Sequence, residues 1–147
     1  MRNKIVPILL LLLLLCGCGE ERYVSVSGSV SVDGQPASDI RVLFTWKDPS
    51  KPSADTGIGF TDSQGRFRLK SLMKEKSGVE PGTYSVSFDY RDPNAPKDQP
   101  DDAVIPPPPF FLTKEAIDGS MTFTVPVGGT NNADFDLKTS KTRVIFD

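Results

Sequence analysis

The sequence contains no histidine and only two cysteines in 147 residues. Histidine is the side chain that most often transfers protons near neutral pH and most often binds metal ions, so its absence argues against hydrolases and iron dioxygenases that depend on it. The two cysteines, Cys16 and Cys18, are separated by one residue, a spacing that suits a disulfide poorly. We therefore expect no catalytic residue, no metal centre, no cofactor, and a core that forms without a disulfide.

An excess of positive charge is also missing, since 17 Lys and Arg residues face 19 Asp and Glu residues and the formal net charge is −2. Nucleic-acid binding relies on basic surfaces that neutralise phosphates. The sequence therefore predicts no nucleic-acid partner. Glycine (12), proline (13) and aromatic residues (nine Phe, three Tyr and one Trp) are by contrast frequent, and this composition favours a turn-rich β fold over a helical one.

Long hydrophobic runs are limited to the amino terminus. The basic residues Arg2 and Lys4 precede an apolar stretch at residues 8–15, which is shorter than the roughly 20 residues that a transmembrane helix needs. This arrangement is typical of a secretory signal peptide, and an uncleaved membrane anchor is the alternative. We assign residues 1–17 to the signal peptide, residues 18–22 to a polar tether, and residues 23–147 to a folded domain.

The apolar stretch ends in Leu15-Cys16-Gly17-Cys18, which resembles the lipobox of bacterial lipoproteins, although Cys16 fills a position usually held by Ala, Ser or Thr. The Cys18 thiolate is the nucleophile that would accept a diacylglyceryl group, and cleavage before Cys18 would free its α-amine for another acyl chain. Two or three acyl chains bind a membrane stably, so we predict an anchor through Cys18. The alternative is that both cysteines belong to an unmodified leader. Gly19 stands where Asp resembles an inner-membrane retention signal, which favours the outer membrane.

Seven segments of the remaining chain alternate apolar and polar residues with a period of two, the pattern of half-buried β-strands. They lie at residues 24–32, 40–46, 58–60, 67–69, 84–90, 121–127 and 135–137. Residues 143–146 form an eighth short strand or a tail, and polar residues 71–80 have room for a brief helical turn. Gly28 interrupts the first strand and indicates a bulge or a close backbone approach. Short strands joined by turns, without crossover helices, predict an all-β, antiparallel, Ig-like sandwich of about seven strands.

Four motifs carry a family resemblance: VSGSVSVDGQP at residues 26–36, GFTDSQGRFRL at 59–69, PGTYSVSF at 81–88 and TFTVPVGGTNNADFDL at 122–137. Their order resembles that of small bacterial lipoproteins with a carboxypeptidase-regulatory-like, or transthyretin-like, domain. The resemblance covers nearly all of the mature chain and implies a prealbumin-like sandwich, mostly of unknown function. At residues 105–110 (IPPPPF) the chain departs from the family, in which Ile-Pro is often followed by a Lys-Tyr pair.

Two candidate chemistries remain without histidine. Ser71 and Lys74 form a Ser-x-x-Lys pattern like that of penicillin-interacting enzymes, but the domain is far too small for that fold. Carboxylates in and around the proline-rich residues 91–109 offer oxygen ligands that would suit calcium; these are Asp89, Asp92, Asp98, Asp101 and Asp102. Their spacing matches no EF-hand loop, and a simply solvated acidic loop is the alternative, so we assign no metal site.

Four aromatic residues are candidates for contact with a ligand or partner. Trp46 ends the second strand, Tyr90 opens the proline-rich loop, and Phe110 and Phe111 follow the proline run. Such rings stack on carbohydrate when they lie exposed on a rigid surface. The alternative is that Trp46 and Tyr90 complete the core while Phe110 and Phe111 close its edge. Residues 106–111 either dock into a partner's aromatic groove or seal a sheet edge against aggregation.

Together these features predict a non-enzymatic, membrane-anchored lipoprotein of the bacterial cell envelope that acts as a binding or scaffold module. Its predicted partners are membrane lipid, through acylated Cys18, and an envelope protein or glycan. The alternative function is that of a solute- or carbohydrate-binding lipoprotein with a ligand site at the rim of the sandwich.

Overall fold

The computed structural model describes residues 23–48, 55–92 and 107–145. The predicted signal peptide, Cys18 and the tether lie outside these residues. The strands within them are β1 (Ser27–Val32), β2 (Gln35–Pro36), β3 (Ile40–Trp46), β4 (Gly57–Phe60), β5 (Arg66–Arg68), β6 (Lys70–Ser71), β7 (Gly82–Tyr90), β8 (Phe111–Leu112), β9 (Met121–Val125), β10 (Phe135–Leu137) and β11 (Thr139–Ser140), and the helix is α1 (Lys114–Ile117). In the described part of the chain, no helix is long and apolar enough to cross a membrane.

β3 and β7 form the centre of the larger sheet, whose strand order is β6-β4-β3-β7-β9 with every neighbouring pair antiparallel. Ile40, Val42 and Phe44 of β3 are all buried, as a period of two requires when one face of a sheet covers a core. The β3–β7 pairing begins with Ile40 opposite Tyr90 and runs the whole length of β3. At about 3.3 Å per residue, this register places Trp46 and Tyr90 about 20 Å apart, at opposite ends of the sheet.

β1 is the central strand of the smaller sheet, with β2 and β5 antiparallel to it and β10 parallel to it. The parallel pair corrects the prediction of a wholly antiparallel sandwich. Its cause is the path of the chain after β9: Thr130 forms a parallel bridge with Val26, so the chain returns beside the start of β1 and then runs in the same direction. On the outer face of this pair, the Ser31 hydroxyl donates a hydrogen bond to Asp136 (2.8 Å).

The two sheets share one hydrophobic core, and the chain passes from the smaller to the larger sheet at Leu69, between β5 and β6. Phe135 of β10 contacts both layers, since its ring centroid lies 5.0 Å from that of Phe88 and 6.2 Å from that of Phe44 in the larger sheet, and 6.4 Å from that of Phe67 in the smaller sheet. Burial of each such side chain stabilises the fold by roughly 1.5–3 kcal/mol. The all-β architecture of packed sheets that the alternation predicted is thus confirmed.

The orientation of β4 differs from the expectation. Its apolar residues Ile58 and Phe60 point away from the core, and Phe60 is 49% exposed, whereas Gly57 and Gly59 are buried. A Cβ on Gly57 would lie 2.5 Å from a methyl carbon of Val79, and one on Gly59 would lie 2.9 Å from a backbone oxygen of β5. Because only glycine allows β4 to approach its neighbours this closely, space rather than hydrophobicity decides which face of β4 is buried.

β9 and β1 are shorter than the predicted strands. β9 ends at Val125 because the next residue, Pro126, has no N–H to donate to a sheet. Val127, expected on the apolar face, therefore lies in a turn and is 66% exposed. In β1, regular pairing begins only at Ser27, and Val24 forms an isolated β-bridge with Val79.

The structure decides two further segments that the sequence left open. Residues 72–74 form a turn after β6, and no helix occurs at residues 71–80. The helical turn α1 lies instead between β8 and β9, where Ala116 is buried. Residues 143–145 form no strand, and Phe146 lies outside the described residues. The carboxy-terminal pairing involves β11, which pairs with β8 as a separate two-stranded sheet.

Candidate functional site

A groove of about 440 Å³ lies at the rim of the sandwich, at the end where β3 begins and β7 ends. We call it the rim groove. Its lining comes from the end of β1, from β2 and the loop after it, from the end of β7, and from residues 109–110 before β8. These parts meet because β2 folds back onto β1 and because Ile40 and Tyr90 are opposite each other. The volume lies in the range that is typical of small-molecule pockets.

Two of the four predicted aromatic residues form the apolar wall of the rim groove. The rings of Tyr90 and Phe110 contact each other edge to face, with centroids 6.0 Å apart and planes inclined at 66°. Both side chains are half-buried. They therefore serve two purposes at once, since each ring packs against the other and also lines the groove. Because their planes are inclined, the two rings do not form a flat stacking platform.

The other two aromatic residues lie away from the rim groove. Trp46 is at the opposite end of β3, where its indole ring contacts Tyr84 edge to face with centroids 5.1 Å apart. The indole also covers Gly82, since a Cβ there would lie 2.3 Å from it. Phe111 is half-buried in β8, opposite Ser140 of β11. The four aromatic residues therefore do not form one surface.

The rim groove also has polar lining residues, which we call its polar wall. Asp33 and Asp39 adopt positive φ angles of 51° and 61° at sharp turns of the backbone. The Asp33 carboxylate accepts hydrogen bonds from the hydroxyl (2.7 Å) and the backbone N–H (3.3 Å) of Thr139, and these bonds hold the pKa of Asp33 below its usual value. The Ser38 hydroxyl donates to Asp39 (2.8 Å), and exposed Gln35 adds an amide. Carboxylates and amides beside apolar rings can fix the orientation of a polar ligand.

Sequence reasoning did not recognise this polar wall, because it placed Asp33, Pro36 and Ser38 in a turn and a loop. The signal present was a run of turn-forming residues between two strands, which any hairpin connection shows. The grouping of these residues with Tyr90 and Phe110 depends on pairing between distant parts of the chain. No local pattern in the sequence indicates that pairing.

A second, more polar groove of about 510 Å³ lies beside β1 and β5. Three of its charged residues, Asp62, Arg66 and Asp134, are engaged with one another or with β1. The Arg66 guanidinium lies 3.2 Å from the Asp62 carboxylate, and Asp134 accepts hydrogen bonds from the backbone N–H (2.8 Å) and the hydroxyl (2.7 Å) of Ser29. Because these contacts explain Asp62, Arg66 and Asp134 as parts of a turn and a strand pair, we assign no function to this groove.

Ser71, the candidate nucleophile of the Ser-x-x-Lys pattern, is 1% exposed. Its hydroxyl donates a hydrogen bond to Asp55 and accepts one from the backbone N–H of Lys74 (2.9 Å). Buried Asp55 also accepts a bond from the Met73 N–H (3.0 Å). Burial raises the pKa of Asp55, but the hydrogen bonds from Ser71 and from the backbone outweigh burial and hold the pKa below its usual value. The spacing of Ser71 and Lys74 is therefore explained by a buried network that stabilises a turn.

The carboxylates considered as calcium ligands lie partly outside the described residues. Asp98, Asp101 and Asp102 are in residues 93–106, which the structure does not describe. Asp89 forms an ion pair with Arg41 of the neighbouring strand (2.6 Å). Across residues 23–48, 55–92 and 107–145, no group of three or more acidic or cysteine side chains is placed to hold a metal ion.

Comparisons with protein-family models, with curated proteins and with solved structures find no match for this chain. The resemblance to carboxypeptidase-regulatory-like lipoproteins therefore depends on the four sequence motifs alone. Any function has to be inferred from the motif at the amino terminus and from the geometry of the sandwich.

Proposed function

We propose that this chain is a non-enzymatic lipoprotein of the bacterial cell envelope, anchored by acyl chains on Cys18, whose β-sandwich acts as a binding or scaffold module. The observation that carries the proposal is Leu15-Cys16-Gly17-Cys18 at the end of a short apolar run, followed closely by an all-β fold. The outer membrane is the favoured location because Gly19, rather than Asp, follows Cys18.

The short separation in sequence between Cys18 and the start of the fold supports the proposed anchor at Cys18. Val24 exchanges two backbone hydrogen bonds with Val79 (2.8 and 3.1 Å), and Val26 is completely buried. The chain is thus part of the sandwich within six residues of Cys18. A short connection between an acylated residue and a folded domain would hold that domain close to the bilayer surface.

We assign the module to the prealbumin-like group of sandwiches, on the strength of the four motifs. The motifs form β1 with β2, the end of β4 with β5, most of β7, and β9 with β10. A binding or scaffold role, rather than catalysis, is supported by a sequence without histidine and by the engagement of the buried Ser71 hydroxyl with Asp55.

The anchor is tested by metabolic labelling of the full chain in bacteria with an alkynyl fatty acid. We expect the wild type and Cys16→Ala to incorporate the label, because Ala is common at that lipobox position, and Cys18→Ala to remain unlabelled. Mass spectrometry of the membrane-purified protein should show an acylated amino-terminal Cys18. Label in Cys18→Ala, or a purified chain that begins at Met1 with an unmodified thiol, would contradict the anchor.

A second candidate function, binding of a solute or carbohydrate, is favoured by the rim groove. The rings of Tyr90 and Phe110 line it together with the polar groups of Asp33, Gln35 and Asp39. This combination of apolar edges and hydrogen-bonding groups suits a sugar, which presents apolar C–H faces and polar hydroxyls. The ligand would bind at the end of the sandwich away from Trp46.

A glycan array probed with the full chain tests this second function. If a glycan binds, Gln35→Ala and Phe110→Leu should weaken binding, because both residues line the groove. Trp46→Phe is the matched control, since Trp46 is at the far end of β3, and it should bind as the wild type does. Equal binding by all variants would exclude the rim groove as the site, and an array without hits for the wild type would favour the scaffold role.

A further inference from the structure

The exposed apolar side chains of the described residues are unevenly distributed. Large apolar residues are exposed at five positions: Phe60, Leu72, Met73, Val127 and Ile145. Leu72 (54%), Met73 (77%) and Val127 (66%) lie in two turns at the same end of the sandwich, where β3 and β9 finish and β4 and β7 begin. We call this the anchor end, formed by residues 72–76 after β6 and residues 126–129 after β9. Single exposed apolar residues are ordinary, but three of these five share one end of the molecule.

Both turns of the anchor end lie beside the segment that leads back to Cys18. Val24 exchanges backbone hydrogen bonds with Val79, and a Cβ on Gly78 would lie 2.0 Å from the Val24 carbonyl oxygen. On the other side, a Cβ on Gly129 would lie 3.3 Å from the Val24 side chain. The exposed apolar group and the amino-terminal entry to the fold therefore share one end of the molecule.

Basic and aromatic groups accompany the apolar ones. The ammonium groups of Lys74 and Lys76 lie 5.9 and 5.3 Å from the centre of the Tyr23 ring. Residues 72–76 therefore pack against Tyr23, which directly follows the predicted tether. Among the described residues at the same end, Lys47 is exposed after β3, and the exposed carboxylates are those of Asp48 and Glu75. Lysines whose stems lie along apolar surface, with tyrosine beside them, are typical of groups that bind at the level of lipid headgroups.

The length of the tether limits how far the anchor end can lie from an acylated Cys18. Five residue steps separate Cys18 from Tyr23, and an extended chain spans about 17 Å over that length. The headgroup region of a bilayer is about 5–8 Å thick on each side. Acyl chains on Cys18 would therefore keep Tyr23 and the two turns within reach of the headgroups, while the rim groove lies at the far end of the sandwich.

We propose that the anchor end docks on the lipid bilayer, with Leu72, Met73 and Val127 entering the headgroup region and Lys74 and Lys76 meeting its phosphates. This inference rests on the proposed lipidation of Cys18 and adds an orientation to it. Docking holds the sandwich with its anchor end at the membrane and its rim groove towards the aqueous side.

Tryptophan fluorescence of the full lipidated chain in vesicles tests the docking. Trp46 is replaced by Phe, because it lies at the same end, and one tryptophan is then introduced as Met73→Trp, Val127→Trp or, as the matched exposed control at the other end of β4, Phe60→Trp. Each variant is purified from membranes and reconstituted into phosphatidylcholine–phosphatidylglycerol vesicles, with or without lipids brominated near their headgroups. We expect loss of emission by bromine and a shift to shorter wavelength for Met73→Trp and Val127→Trp, and neither for Phe60→Trp. Circular dichroism confirms the fold of each variant.

The outcomes separate the docking from the anchor, because intact mass reports acylation independently of fluorescence. An acylated protein without bromine quenching at residues 73 and 127 would overturn the docking and leave the anchor intact. A chain that is not acylated would overturn both. Equal quenching at residue 60 would mean that the sandwich has no preferred orientation, and a concentration-dependent blue shift in detergent without vesicles would mean that a second copy covers this end. Either result overturns the docking.

Discussion

Asp55 is a buried carboxylate that connects three separate stretches of the described chain. It accepts hydrogen bonds from the Ser71 hydroxyl and the Met73 N–H, and the Tyr23 hydroxyl lies 3.4 Å away. The bonds to Ser71 and Met73 hold the turn of the anchor end in place, and that turn exposes Leu72 and Met73. A single carboxylate thus supports both the stability of the turn and the surface that we propose for membrane contact.

Asp55→Asn should lower the free energy of unfolding by about 2–3 kcal/mol, because hydrogen bonds to a charged acceptor are the stronger kind and the amide presents donors where donors already converge. Urea unfolding at pH 7 measures the change. The matched control is Glu75→Gln, an exposed residue of the same turn, which should stay within about 0.5 kcal/mol of the wild type. An Asp55→Asn protein as stable as this control would show that the buried network contributes little.

At the scale of secondary-structure elements, close backbone approach decides how the strands pack. Gly28 interrupts the apolar face of β1, and a Cβ there would lie 1.9 Å from the carbonyl oxygen of Ala133. The expected close approach at Gly28 is therefore confirmed. The contact allows the segment before β10 to run closely beside β1 and enter the sheet parallel to it, so one glycine permits the pairing that departs from the antiparallel prediction.

Gly28→Ala should destabilise the protein by about 3 kcal/mol or more, because the added methyl group would overlap rigid backbone that has to move. Gly128→Ala serves as the control, since a Cβ at Gly128 meets nothing within 4 Å. Urea denaturation of both variants, followed by circular dichroism, gives the comparison. Similar midpoints for the two variants would mean that the chain relaxes around residue 28 without penalty.

At the scale of the whole molecule, hydrogen-bonded aspartates set the response to acid. Lowered pKa values occur at Asp33, Asp55, Asp62, Asp118 and Asp136. In four of them the main cause is a hydrogen bond. The Thr139 hydroxyl donates to Asp33, and the Arg66 backbone N–H donates to Asp62. Ser120 donates to Asp118, and the Lys138 ammonium donates to Asp136. At Asp55, burial raises the pKa but the hydrogen bonds from Ser71 and the backbone outweigh it.

The free energy of unfolding should therefore be constant near neutral pH and fall as the pH drops below about 4. A carboxyl group whose pKa is lower in the folded than in the unfolded state stabilises the fold above the unfolded value, near 3.9. That stabilisation is lost as the pH falls through the folded value. Urea midpoints at pH 7, 5, 4 and 3 measure the effect, and Asp55→Asn should show a shallower decline. A rise in stability on acidification would contradict the assignment.

At alkaline pH, the free energy of unfolding is expected to fall as the pH rises. The bond to Asp136 raises the pKa of Lys138, so the contribution of that pair is complete below the ordinary lysine pKa and is lost as the pH rises through the raised value. Because Lys138 and Asp136 are exposed, their effect is screened by salt and should be small.

Among the described residues, the positions of the seven strands with three or more residues could be predicted from the sequence, because alternation of side chains is a property of each strand by itself. The two-residue strands β2, β6, β8 and β11 are too short to show alternation and were not predicted. The predicted segments correspond to β1, β3, β4, β5, β7, β9 and β10. The same rule gave the wrong face for β4, where Gly57 and Gly59 are buried and Ile58 and Phe60 point outward. Which face of a strand is buried depends on the space left by its neighbours, and that is not a local property.

The candidate functional residues likewise fall into two groups: those that the sequence indicates and those that only the tertiary structure brings together. Cys18 and the residues before it that resemble a lipobox form a contiguous motif, so the prediction of an anchor comes from the sequence alone. Tyr90 and Phe110 are 20 residues apart and line one groove only because β7 ends where the chain returns before β8. Trp46 was a candidate of equal standing in the sequence, and the antiparallel register of β3 and β7 places it about 20 Å from Tyr90. Local alternation and contiguous motifs determine what each segment is, whereas long-range hydrogen bonding and packing decide which segments meet, because those free energies depend on contacts between residues distant in the chain.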